Sequence, residues 1–218
     1  MSNRPCYGSP APGWPVVVGR LALLLGLFGL VTACSLAPSR PPITELEAAW
    51  QQRQHVLQAI EHWRLAGRAA VKLNDEGGQA NLRWYQQGEH YELQFLDPLG
   101  RRVASLAGSP QEVILRRGQQ PSVTARDAQT LLARELGWRL PVAGLKFWVL
   151  GVPQPGYAVQ AKRLDAQGRA RWLQQNGWRV DYGHYERVDS LAIPHRLTLS
   201  RAALKVTLVI DQWQATAR

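Results

Sequence analysis

From Trp63 onward apolar and polar residues alternate with a period of two, and this regularity commits most of the chain to β-sheet. Leu65, Gly67, Ala69, Val71 and Leu73 alternate with Arg64, Arg68 and Lys72. Ala80, Leu82 and Trp84 repeat the pattern, then Tyr91, Leu93 and Phe95, then Val103 to Leu106, Val113 to Leu115 and a short piece around Ser122–Thr124. Short polar turns separate these segments, which predicts antiparallel neighbours. Five more strands are expected over 157–164, 169–175, 178–185, 195–200 and 204–213. Asn176-Gly177 is a two-residue hairpin signal between two of them. Leu204, Val206, Leu208 and Ile210 form the clearest one-faced strand.

Helical spacing occurs in three places. Thr44-x-x-Glu47 reads as a capping box, followed by Leu46, Trp50, Leu57 and Ile60 on one face. Residues 127–136 form a second helix ending at Gly137, and Pro141 fits the first position of a third, which Gly151 ends. A long meander must close on itself or be covered to bury its apolar face. The expected class is therefore mainly β (α+β): an unclosed antiparallel barrel of about ten or eleven strands, covered by the helices. Leu82, Trp84, Leu93, Phe95, Leu136, Trp148, Leu208 and Ile210 are the interior candidates that alternation and helix faces offer, although alternation alone does not say which face is inward.

The first segment follows different rules. Residues 1–20 carry Arg4 and Arg20 and no acid, and Leu21–Ala33 is an uncharged run of thirteen residues. At about 1.5 Å per residue that run reaches roughly 20 Å, short of the ~30 Å hydrocarbon core, so a signal peptide over 1–33 is favoured above an uncleaved anchor helix. Val31-Thr32-Ala33-Cys34 resembles a bacterial lipobox, in which the cysteine thiol takes a diacylglycerol. Residues 34–43, rich in Pro and Ser, then form a lipidated tether, and 44–218 a single domain. Cys6 would leave with the signal and Cys34 would be consumed, so the mature chain keeps no disulfide.

Several function classes lack their chemistry. There is no G-x-x-x-x-G-K stretch, no G-x-S-x-G elbow and no H-E-x-x-H, and His55, His62, His90, His184 and His195 show no metal-ligand spacing. Neither metal nor cofactor is expected, and an enzyme is the weaker class. The net charge of +10 falls to +8 without Arg4 and Arg20, but basic residues occur in runs no longer than two. For an exported chain of this kind the charge points to anionic membrane or acidic partners, or equally to ordinary solubility, rather than to nucleic acid.

Read in order, these segments resemble the LolB family. The matching residues are the lipobox, Trp50-Gln51-x-Arg53-Gln54-His55, Asp97-Pro98-Leu99-Gly100, Leu145-x-x-Trp148-Val149-Leu150-Gly151-Val152-Pro153, Gln175-Asn176-Gly177-x-x-Val180-x-Tyr182 and Asp211-Gln212-Trp213. The resemblance implies a monomeric outer-membrane lipoprotein, anchored on the periplasmic face. It would accept acylated lipoproteins from the periplasmic carrier LolA in an apolar cavity under a lid of helices, lined by the interior candidates named above, and insert them into outer-membrane lipid without ATP. It further implies that Leu99, at the tip of the turn formed by Asp97, Pro98 and Gly100, helps push cargo into the membrane. Ser35 after Cys34 is similar to an outer-membrane sorting signal. Two other readings stand beside this one: a lipidated carrier of some other amphiphile, and a lipoprotein hydrolase whose site forms only in three dimensions.

Overall fold

The computed structural model describes residues 41–215. Cys34, the apolar run and most of the tether lie outside the described residues.

The chain enters through helix α1 (Ile43–Gln58) and then runs through six strands: β1 (His62–Leu73), β2 (Glu76–Gln87), β3 (His90–Leu96), β4 (Arg102–Gly108), β5 (Val113–Arg117) and β6 (Val123–Ala125). Helices α2 (Ala128–Leu136) and α3 (Val142–Trp148) follow. The sheet resumes with β7 (Val159–Leu164), β8 (Ala170–Gln175) and β9 (Trp178–Tyr182), a hairpin of β10 (Tyr185–Val188) and β11 (Leu191–Pro194), then β12 (Arg196–Arg201) and β13 (Leu204–Ala215). Eleven strands form one sheet in the order β6-β5-β4-β3-β2-β1-β13-β12-β9-β8-β7, and β10 pairs only with β11. The edge strands β6 and β7 do not pair with each other, so the sheet is not closed.

The two meanders meet where β1 pairs with β13 along eleven residue pairs. A bulge at Ala66/Gly67 interrupts that ladder, and a Cβ on Gly67 would stand 2.0 Å from the Val209 carbonyl oxygen, so no other residue fits there. Asn176 and Gly177 both take positive φ, 52° and 74°, as a type I′ turn requires, and join β8 to β9.

Three expectations need correction. Helix α1 begins at Ile43 behind Pro42, with no side-chain cap, so Thr44 sits inside the first turn and forms no capping box. Pro141 is the N-cap of α3 rather than its first helical residue. The β10–β11 hairpin was not expected as a separate pair: Glu186 and Arg187 give its first strand no apolar alternation. Helix α2 does match its signals. Asp127 accepts the Thr130 N–H at 2.8 Å, and Gly137 closes the helix at φ 72°.

Register settles which face is inward. One cross-strand row runs Trp213, Leu65, Trp84, Leu93, Leu106, Leu115, and every member is buried. The row beside it runs Ile210, Gly67, Leu82, Phe95, Ala104, Arg117. Toward the other edge, Leu173, Val180, Leu197 and Leu199 from β8, β9 and β12 are completely buried, as are Trp148, Val149 and Val152 at the end of α3.

Candidate functional site

The inner face over β1–β5 and β13 is not filled. An apolar cavity of about 290 Å³ lies between these strands and α2, α3 and their connection. Its floor is Ala69, Val71, Leu82, Trp84, Leu93, Phe95, Ala104, Leu106, Val206 and Leu208; its roof is Leu132, Leu136, Trp138, Leu140, Val142 and Leu145. Small residues make the space: Ala69 pairs with Ala80 on one side and Leu208 on the other, and Phe95 pairs with Ala104. A run of larger side chains at these positions would fill it, since protein interiors otherwise pack to near-crystalline density.

Six of the eight residues chosen from the sequence line this cavity: Leu82, Trp84, Leu93, Phe95, Leu136 and Leu208. Trp148 and Ile210 do not. Trp148 is fully buried in the filled half of the core, its ring 6.4 Å from that of Trp178 and its Nε1 donating to Gln175 Oε1 at 3.0 Å. Its helical position is apolar, but α3 turns Val142 and Leu145 toward the cavity instead. Ile210 is buried on the row of Gly67, at the bulge where the ladder shifts register. Sequence reasoning missed Trp138 and Leu140, which follow α2 without periodicity. It also passed over the alanines, whose small size gives no signal of its own.

Charge meets the cavity at one point. Arg117 lines it and pairs with Glu135 of α2 at 2.7 Å, which ties the roof to β5. Arg134 also holds Glu135 at 2.9 Å, and the hydrogen bond from Arg134, with help from Arg117, keeps the Glu135 carboxyl below its ordinary value. The Thr130 backbone N–H does the same for Asp127 at the other end of α2. On α3, Lys146 Nζ donates to the Gly88 carbonyl at 2.8 Å, and burial lowers its pKa. The two roof helices are thus fastened to the sheet by a few polar ties.

Leu99 lies apart from the cavity lining. It is 79% exposed on the loop between β3 and β4. Asp97 builds this loop: its Oδ1 accepts the N–H groups of Leu99 at 2.9 Å and Arg101 at 3.0 Å, and its Oδ2 binds the Arg101 side chain at 2.7 Å. Those bonds, led by the Arg101 backbone N–H, hold the Asp97 carboxyl below its ordinary pKa. Gly100 takes φ 80° and donates its N–H to the Asp97 carbonyl, closing the turn. The loop is therefore preset, and it presents a leucine to solvent just ahead of Arg101 and Arg102, whose side chains are 75% and 57% exposed.

The family model described as "Outer membrane lipoprotein LolB" matches residues 61–213. This chain belongs to the LolB family. The LolB-family match extends through whole relatives: an outer-membrane lipoprotein LolB of Nitrosococcus oceani is 38% identical, with 89% of this chain and 97% of that one covered. A second, from Alkalilimnicola ehrlichii, is 37% identical over 89% of this chain and 96% of its own. Among solved structures, a LolA superfamily protein from Nitrosomonas europaea superposes with a TM-score of 0.52 at 7% identity, covering 79% of this chain and 94% of that one. At that identity the likeness is one of fold. It places this LolB-family sheet and its helices in the LolA-type architecture. No helix among the described residues is long and apolar enough to cross a membrane.

Proposed function

We propose that this LolB-family outer-membrane lipoprotein receives acylated lipoproteins from a periplasmic LolA-type carrier, shelters their acyl chains in the apolar cavity and passes them to the outer membrane without ATP. The observation that carries the reading is the unfilled space under the β1–β5 and β13 face, where register and buried aromatics would otherwise make a solid core. Burial of acyl chain is worth about 0.8 kcal/mol per methylene, so a chain of about a dozen carbons loses roughly 10 kcal/mol if it crosses water bare. Transfer needs no nucleotide if each site in the sequence holds the chains better than the one before, because only differences in affinity move the cargo.

The cavity of about 290 Å³ lies near the lower bound of the ~300–1,000 Å³ common for small-ligand pockets. A full acyl load therefore requires α2 and α3 to move off the sheet. Cys34 is the proposed anchor. Intact mass of membrane-extracted protein should exceed residues 34–218 by an acyl-sized increment, and an unmodified Cys34 would remove the anchor from this account. Catalysis gains no support from the cavity, where the one charged lining residue, Arg117, is already paired with Glu135.

The deciding experiment follows labelled lipoprotein from a loaded carrier to this protein and then to liposomes. Ala104→Trp places an indole between Phe95 and Arg117 on the cavity floor. It is expected to fold and to accept cargo at least tenfold less well than wild type. Normal acceptance by a folded Ala104→Trp protein would show that the acyl chains go elsewhere.

A further inference from the structure

At the neck of the β10–β11 hairpin, three side chains converge that the acyl cavity does not use. His184 precedes β10 and His195 follows β11. They face each other across the hairpin, with the His195 N–H donating to the His184 carbonyl at 3.0 Å. Glu186 lies two residues beyond His184 and so returns to the same face of the strand. The Glu186 carboxylate oxygen Oε1 stands 3.1 Å from His184 Nε2 and 3.1 Å from His195 Nδ1. All three candidate donor atoms lie within 4.8 Å of one another.

We propose that His184, Glu186 and His195 form a binding site for a divalent transition-metal ion of the Zn²⁺ type. Two imidazoles and one carboxylate are the donor set such an ion favours. Bonds of about 2.0–2.2 Å to one ion put neighbouring donor atoms about 3.0–3.5 Å apart, which is the spacing already present on both sides of Glu186. The ion-pair account explains less. The two rings stack with centroids 4.5 Å apart, which sets both imidazoles beside the one carboxylate. His195 Nδ1 is a buried atom that makes no hydrogen bond despite its closeness to the carboxylate, because the direction is wrong for one. A cation between the three donors gives that nitrogen a partner.

The backbone supports such a site. Gly183 donates to the Arg196 carbonyl at 2.8 Å and Ile210 to the His195 carbonyl at 2.7 Å, so the hairpin neck is fixed to the main sheet from both sides. His184 and Glu186 are exposed, and their exposure leaves a fourth coordination position open to water or a solvent-borne ligand. The sequence spacing did not signal the site, because its donors meet across a hairpin that alternation also missed.

Calorimetric titration of metal-stripped, untagged full-length protein with Zn²⁺ in detergent tests the assignment. One ion per chain is expected, with affinity falling at least tenfold in both His195→Ala and Glu186→Gln and unchanged in His90→Ala, an exposed histidine on β3. Because Glu186 is exposed, Glu186→Gln should keep the wild-type melting temperature, so its loss of binding would report the site rather than the fold. Absence of saturable binding, or equal affinity in wild type and both site variants, would overturn the proposal.

Discussion

Leu99 and Gln175 show how differently single residues serve this fold. Leu99 touches little of the protein, so Leu99→Ala should cost far less than the ~2–5 kcal/mol of a core leucine. If its side chain enters the acyl boundary of the bilayer, however, its burial is worth roughly 1.5–3 kcal/mol at the moment cargo leaves. Leu99→Glu should therefore accept lipoprotein at near-normal yield and fail to deliver it to liposomes. Equal defects in both steps, or a large fall in melting temperature, would instead place Leu99 in a docking surface or the core. Gln175 is fully buried, and its amide is used throughout: Oε1 accepts from Trp148 Nε1 and the Gln154 N–H, while Nε2 donates to the carbonyls of Gln154 and Tyr157. Each buried group left unpaired costs about 1–3 kcal/mol, so Gln175→Ala should lose at least about 3 kcal/mol in urea unfolding. A loss below about 1 kcal/mol would mean that the segment around Gln154 re-pairs without it. Gln175 was visible in the sequence only as part of a family match, since a polar residue next to a hairpin turn ordinarily reads as surface.

At the scale of elements, the roof helix α2 is the one whose ends respond to pH. Its ends depend on two carboxylates, Asp127 and Glu135, whose pKa values are held below their ordinary 3.8 and 4.5. A carboxyl depressed by folding stabilises the folded state above its unfolded pKa, and that contribution is lost as pH falls through the depressed value. Amide exchange in α2, corrected for intrinsic rates, should stay slow from pH 7 to about 4.5 and accelerate as acidification continues below about 4. Asp127→Asn with Glu135→Gln should flatten that profile; an unchanged profile in the double variant would assign the acid response to other groups. Elements were unevenly legible. Strands with large alternating side chains, such as Leu204–Ile210, declared themselves, and so did α2 with its Asp127 cap and Gly137 stop. Helix α1 starts at Ile43 because Pro42 presets the backbone, which outweighs the capping signal at Thr44. The β10–β11 hairpin is too short and polar to register in a periodicity.

For the whole molecule, an unclosed sheet of eleven strands solves two problems at once. It buries one apolar face and leaves part of that face unfilled, with two short helices in place of a continuous wall. The open, helix-covered sheet was readable from alternation and strand count, because a meander of this length has few ways to cover itself, whereas the unfilled space was expected only from the family resemblance. The division of its interior was not. Whether a tryptophan such as Trp84 or Trp148 lines a cavity or fills a core depends on cross-strand register and on how α3 is rotated, and neither is written in local periodicity. Photocrosslinking from a lipoprotein whose acyl chain carries a diazirine, after transfer from its carrier, tests the central claim most directly. Mass spectrometry should find the adducts on Leu82, Phe95, Leu136 and Trp138, and the Ala104→Trp variant should lose them. Adducts confined to the outer face of the sheet, at residues such as Tyr85 and Val209, would contradict the account.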